Sequence, residues 1–394
     1  MTREQVNTVT QKRILLIIVV LFWFSQYVYI PYQTPYLISI GVVTSFIGII
    51  VGAYGFSQLI LRMPVGLMAD IRGKHKVFII IGTTFSGLAS IFRILVPNGT
   101  GFLMGSLFSG LASAMWISFM VLYSNYFENE ELQKSTGLII GANNLGILMG
   151  FITGTLFYDT LGMKFLCILS LVIAIPSTIL AFFIKEPPIN FKPLSVRQLA
   201  SVYVDKRLII FSLIALIQQG VLMSTCMSFT TQVAKTLGGS GFQIGMISII
   251  YITSAVASSY FSASRVATKK GAKFWIPITL ICICAYCIII PNVPSMEYIY
   301  FAQILAGMGN GIIFSFCTSE AMKNVSADRK STAMGYFQAI YAIGMTIIPM
   351  ITGLIDNCYN MNIAYYFLAS MTGIGFLIAI CFYGFKDQRE KYDL

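Results

Sequence analysis

Gly41-Val-Val-Thr-Ser-Phe-Ile-Gly48 and Gly238-Gly-Ser-Gly-Phe-Gln-Ile-Gly245 each lead into an apolar stretch, and their matching positions lie half a chain apart. Ile47 and Ile244, Gly48 and Gly245, Tyr54 and Tyr251, and Gly110 and Gly307 all share that offset, as do Glu131 and Asp328. A pattern that returns at half the chain length marks duplication of one unit, with the copies in parallel orientation.

What the unit is follows from composition. The 394 residues are 57% hydrophobic and only 10% charged, where a soluble chain carries about 25% charge. Too few charged side chains are present to coat a water-facing surface. A bilayer core takes about 20 residues of helix, and twelve stretches meet that length: 14–35, 45–67, 77–96, 101–124, 136–158, 164–184, 208–230, 242–263, 274–291, 298–319, 332–354 and 363–384. The expectation is an all-α membrane protein: twelve transmembrane helices in two six-helix bundles related by a pseudo-two-fold axis. The bundles are 1–184 and 208–394, joined by a linker at 185–207. That linker holds Pro187, Pro188 and Pro193, which oppose continued helix.

The net charge of +11 is a matter of topology rather than of nucleic-acid binding. Of the 26 Lys and Arg, only Lys164 and Lys235 fall in the odd-to-even loops, and only Arg62 and Arg93 fall inside spans. All the others lie on one side. By the positive-inside rule both termini are cytoplasmic, and a multi-pass plasma-membrane protein is expected. The first apolar stretch is full-length without a small-residue cleavage pattern, so it reads as span 1 rather than as a signal peptide.

Between spans 2 and 3 stands Gly66-Leu-Met-Ala-Asp70-Ile-Arg72-Gly73-Lys74-His75-Lys76. This resembles the loop signature of the major facilitator superfamily: a glycine, a carboxylate four residues on, then a glycine and basic residues. The resemblance covers the whole chain and implies a secondary transporter that works by alternating access. It implies a conformational gate at Gly66, Asp70, Arg72, Gly73, Lys74 and Lys76. Asp70, at a helix end, would cap the positive N-terminus of span 11 or pair with a base across the bundles. Gly66 and Gly73 would permit close approach and a tight turn. His75 reads as a solvated loop base. Three positions depart from the family: Ile71 follows the Asp where a base is usual, Ser106 stands where span 4 often has an arginine, and span 5 lacks a Gly-Pro pair.

No Asp, Glu or His falls near mid-depth in any span. That argues against a cation held by a central carboxylate, implies a passage without formal charge at its centre, and leaves a neutral, weakly polar or lipophilic solute. Arg93, near the outer end of span 3, is expected to snorkel to the surface, with a role towards an anionic solute as the alternative, and Arg62 to serve a gate or packing rather than substrate contact. Uncharged polar groups do recur on helix faces. The resemblance implies that spans 1, 4, 7 and 10 line the cavity, which makes Gln26, Tyr29, Gln33, Trp116, Asn143, Gln218, Asn310 and Gln338 the candidate cavity residues. Small-residue stripes on spans 2, 5 and 8 suit either sliding bundles or static packing. Cys282, Cys284 and Cys287 sit in an apolar helix without His, Asp or Glu and read as packing thiols.

The expected function is movement of a small organic solute through the bilayer by a monomer, outwards and with protons as candidate coupling partner. Import of a neutral metabolite is the alternative. No cofactor, metal or nucleic acid is implied. A phosphate loop of the GxxxxGK[ST] type is absent, which leaves an ATP-driven pump unsupported. A channel and a membrane-embedded enzyme are the remote alternatives.

Overall fold

Eleven helical stretches among the described residues are long and apolar enough to cross a membrane. One of them, Leu138–Phe182, has 45 residues, or about 68 Å at 1.5 Å per residue, against a hydrocarbon core of about 30 Å. Gly162 interrupts it with φ 71° and ψ −177°, in the left-handed region that only glycine enters at little cost. The stretch is therefore two crossings, and the chain crosses twelve times as its sequence predicts. The computed structural model describes residues 3–72, 74–127, 132–187, 205–262, 264–325 and 330–392, with no strand among them. Most of the 185–207 linker lies outside the described residues.

The helices are α1 (Arg3–Tyr27), α2 (Ile30–Ser39), α3 (Thr44–Arg72), α4 (Lys76–Leu95), α5 (Gly99–Ala114), α6 (Trp116–Ser124), α7 (Leu132–Phe182), α8 (Lys206–Ser224), α9 (Thr230–Thr236), α10 (Gly241–Ser262), α11 (Arg265–Ile289), α12 (Met296–Met322), α13 (Lys330–Cys358) and α14 (Met361–Tyr392). Three spans are broken where the sequence suggested continuous helices. Span 1 is α1 plus α2, and α2 carries Pro31 and Pro35, whose missing N–H groups weaken the helical ladder there. Span 4 breaks at Met115, between α5 and α6. Span 7 carries a π-helical turn at Thr225–Phe229 between α8 and α9, a feature that tends to sit at functional positions. Below, the side bearing most Lys and Arg is the basic face, and the other is the opposite face.

The duplication is physical. Gly41 and Gly238 both turn the chain at φ 82° and 83°. A Cβ on Gly110 would press on Tyr54 and Ser57, and one on Gly307 would press on Tyr251 and Ser254. The Tyr54 hydroxyl donates to Ser113 Oγ at 3.0 Å, while the Asn310 amide donates to the Tyr251 hydroxyl at 2.8 Å. Each of these pairs occupies matching places in the two copies.

The small-residue stripes divide between both roles. On α3, Gly48, Gly52 and Gly55 lie against Pro349, Gly353, Thr346 and Met345 of α13, across the two bundles. On α7, Gly146, Gly150 and Gly154 lie instead against Val20, Phe24 and Val28 within their own bundle. The α10 stripe faces Gly307 and Gly311 of α12, again within one bundle. So α3–α13 is the close backbone contact between halves, whereas most of the α7 and α10 stripes pack statically.

Candidate functional site

Asn98 starts the wall of the site. Its side chain caps α5 by accepting from the Thr100 and Gly101 amides at 3.0 and 3.2 Å, satisfying donors that a helix start leaves free. Gly105, Ser109 and Ser113 then follow at four-residue intervals along one face of α5. Opposite them, Gln26 on α1 donates its amide to the Ser109 carbonyl at 3.3 Å, and the Tyr29 hydroxyl meets Ser109 Oγ at 3.3 Å. Gln33 of α2, Tyr54 of α3, and Met223 and Met227 from the broken span 7 complete a cavity between the halves. Its volume is about 30 Å³, room for about two waters. In this conformation the cavity leaves no room for an organic solute.

Arg93 belongs to this cavity. It is 3% exposed, donates from Nη2 to Ser109 Oγ at 2.9 Å, and lies 4.2 Å over the Tyr29 ring. This overturns the snorkelling expectation. The physical reason is direction: helical side chains lean towards the helix N-terminus, which for α4 is on the basic face. Arg93 near the far end of α4 thus reaches towards mid-membrane and not out to the opposite surface. The expectation of an uncharged centre falls with it. Ser106 also lines the cavity, so the wall that lacks an arginine on α5 receives a guanidinium from α4 instead.

The cavity is closed towards the opposite face by contacts between halves. The Tyr32 hydroxyl donates to the Gly241 carbonyl at 3.0 Å. Thr34 and Ser228 hydroxyls meet at 2.9 Å, joining α2 to the π-helical turn. The Phe242 amide donates to Asp159 Oδ2 at 3.1 Å. Towards the basic face, buried Arg62 of α3 bonds to Gln58 on its own helix, to the Tyr341 hydroxyl and to the Gln338 carbonyl of α13.

The other candidates lie apart from this cavity. Gln218 donates to Asn310 on the C-terminal side, lining a second, smaller void beside Tyr286. Gln338 is the Arg62 acceptor just described. Trp116 packs on Trp23 and Phe119, and Asn143 is half-buried on α7 outside both cavities. Amide identity alone does not tell a cavity wall from an interhelical bond, since both satisfy the group in an apolar medium.

At the proposed gate, Asp70 and Arg72 end α3, but their side chains, and Gly73 entirely, lie outside the described residues. A Cβ at Gly66 would meet only Ile117, at 4.0 Å, so close approach does not require a glycine there. Lys74 is exposed, and Lys76 donates from Nζ to the Phe182 carbonyl at 2.7 Å. His75 is buried, not solvated. Glu186 explains why: its carboxylate accepts from the His75 and Lys76 amides, capping α4 with negative charge at the positive end. Burial pushes the His75 imidazole below its ordinary pKa, with Glu186 pulling partly the other way.

A model of the Major Facilitator Superfamily matches residues 15–232 and 211–393. Among curated proteins, an uncharacterised MFS-type transporter of Methanocaldococcus jannaschii is 24% identical over 348 residues, covering 86% of this chain and 89% of that one. The proton-coupled antiporter flippase LtaA of Staphylococcus aureus is 24% identical over 328 residues, covering 81% of each. Among solved structures, the nucleoside transporter NupG superposes with TM-score 0.76 at 14% identity over 95% of this chain and 99% of that one. A bacterial homologue of the human lysosomal transporter Spinster, inward-facing and unoccupied, superposes with TM-score 0.71 at 13% identity over 95% of each. At such identities the structures establish the fold.

Proposed function

The chain belongs to the Major Facilitator Superfamily, and from that premise we propose that it carries a small organic solute across the membrane by rocking its halves about the Ser109 cavity. The observation that carries this reading is a cavity of mixed polar and apolar lining, walled by both halves and lying beside the breaks in spans 1 and 7. Broken helices at mid-depth are how transporters present polar groups inside a bilayer. Residues 1–184 and 208–394 are the moving bodies. The basic face is cytoplasmic, which makes the state described here closed towards the outside of the plasma membrane. One chain walls the whole cavity, so the monomer is the working unit.

Transport runs outwards in this proposal, supported by the likeness to a proton-coupled antiporter flippase. Coupling to protons, which the same relative carries in its name, would run through a carboxylate away from the cavity, because no described cavity residue is acidic or a histidine. Asp70 is the candidate. The test is flux of a labelled compound panel in proteoliposomes with and without a pH gradient. Solute flux abolished by collapsing the gradient supports exchange, and flux indifferent to the gradient overturns it. Separately, Gln26→Ala is expected to change the apparent affinity for the carried solute; unchanged kinetics remove Gln26 from the wall.

A further inference from the structure

We infer that the carried solute is an anion, and that Arg93 holds its carboxylate or phosphate group. The inference rests on the Ser109 cavity being the transport site.

The guanidinium is fully enclosed, yet no carboxylate contacts it among the described residues. Its Nη2 has the Ser109 hydroxyl, while Nε and Nη1 have no partner. Those two nitrogens carry three of the five N–H donors of an arginine. An arginine does not shed its proton, so the cavity is permanently positive. Holding an ion away from water costs several kcal/mol even after relaxation, and one hydroxyl and one aromatic face offset only part of that. A guanidinium with unpartnered N–H donors, set in the wall of a cavity, fits a two-oxygen anion.

The surroundings are built for this side chain. A Cβ on Gly105 would come within 2.7 Å of Arg93 Nε and 2.8 Å of its Cζ, so the bare backbone of α5 leaves the guanidinium its space. Gln33, whose amide oxygen has no partner, and Tyr54 stand across the cavity. Arg62, the other buried arginine among the described residues, differs in this respect: its Nη1 bonds to the Gln338 carbonyl and the Tyr341 hydroxyl of α13 across the interface and its Nη2 to Gln58 of its own helix, which leaves only Nε without a partner. Arg62 therefore ties the halves together, and Arg93 waits on a ligand. The cavity is too small for an organic ion as it stands, so the anion enters when the halves part and is enclosed when they close.

The test uses matched solutes that differ in charge: glycerol and glycerol 3-phosphate, benzamide and benzoate, uridine and uridine monophosphate. Binding is read as a thermal shift of the purified full-length protein, and transport as flux in proteoliposomes. The wild type is expected to favour the charged member of at least one pair by tenfold or more. Arg93→Gln should erase that preference, and Arg93→Lys should keep a weakened one. The charge preference of the wild type stands as a result even if Arg93→Gln fails to fold. A wild type that favours neutral members or shows no charge preference overturns the inference, as does an Arg93→Gln protein that retains the preference. Flux of neutral members alone sinks the anion assignment while leaving the transporter reading; anion binding without flux of any solute sinks the transporter reading and leaves the anion site.

Discussion

Replacing Gly55 by alanine tests whether the α3–α13 contact has to open during function. A Cβ there would stand 2.7 Å from the Met345 carbonyl carbon and 2.8 Å from both Met345 Cβ and Thr346 N. These are backbone or backbone-proximal atoms that no rotamer change can move. Ordinary van der Waals contact begins near 3.4 Å, so the helices must part by about 0.7 Å. Overpacking of that kind costs about 1–3 kcal/mol. Alanine also favours helix over glycine by up to about 1 kcal/mol, but α3 is helical in either state, so that gain cancels from the conformational equilibrium. It does not cancel from unfolding, where it offsets part of the strain. The closed state described here should therefore lose population against the state open on the opposite face by about 5–150-fold, with little change in melting temperature. The assay is labelling of Met227→Cys in the cavity by an impermeant thiol reagent added from the opposite face. It is run without Cys358 and Cys381, the exposed native thiols. Gly373→Ala, where a Cβ meets nothing within 4 Å, is the control and should label as the parent does. Unchanged labelling in Gly55→Ala together with a lowered melting temperature would show a permanent seam and refute the reasoning.

Thr34→Val removes the hydroxyl contact to Ser228 on the opposite face; at about 0.6 kcal/mol for a hydrogen bond within a membrane, the same labelling rate should rise about threefold. Asp70→Asn should reduce flux strongly while leaving the melting temperature close to wild type, and full flux would remove Asp70 from the gate. The depressed pKa of His75 stabilises the fold above the ordinary histidine value of about 6.5 and loses that contribution as pH falls through the depressed value. Melting curves of wild type and His75→Gln should accordingly draw closer as the buffer is acidified below about 6.5, and a gap constant with pH would show that His75 does not titrate with unfolding.

Much of the fold was legible because a bilayer reads only a few variables. Length and apolarity set the crossings. The half-chain offset of Gly41 and Gly238, or of Gly110 and Gly307, carried straight into matching turns and contacts. What the sequence concealed was direction. Glycines on span 2 and span 5 look alike in one dimension, but Gly48, Gly52 and Gly55 of α3 lie against the other half while Gly146, Gly150 and Gly154 of α7 pack within their own, because helix rotation is set by neighbours and not by composition. Arg93 was placed at the right depth and pointed the wrong way; the lean of helical side chains towards the N-terminus, combined with the upward run of α4, was the signal that would have corrected it. Candidate amides scattered over four places for a similar reason, as Gln26 and Gln218 carry the same chemistry in different company. The breaks in spans 4 and 7 had no proline or other strong local marker.

The account depends on two bundles that tilt in opposition about one cavity, and paired spin labels on both faces measure that directly. Ile40 and Leu237 mark the two halves on the opposite face, and Lys74 and Lys323 mark them on the basic face; all four are exposed. In proteoliposomes under transporting conditions, the account predicts that each pair shows a short and a long distance, and that conditions favouring the long distance on one face favour the short one on the other. A single distance on both faces, unchanged while solute crosses the membrane, would contradict it.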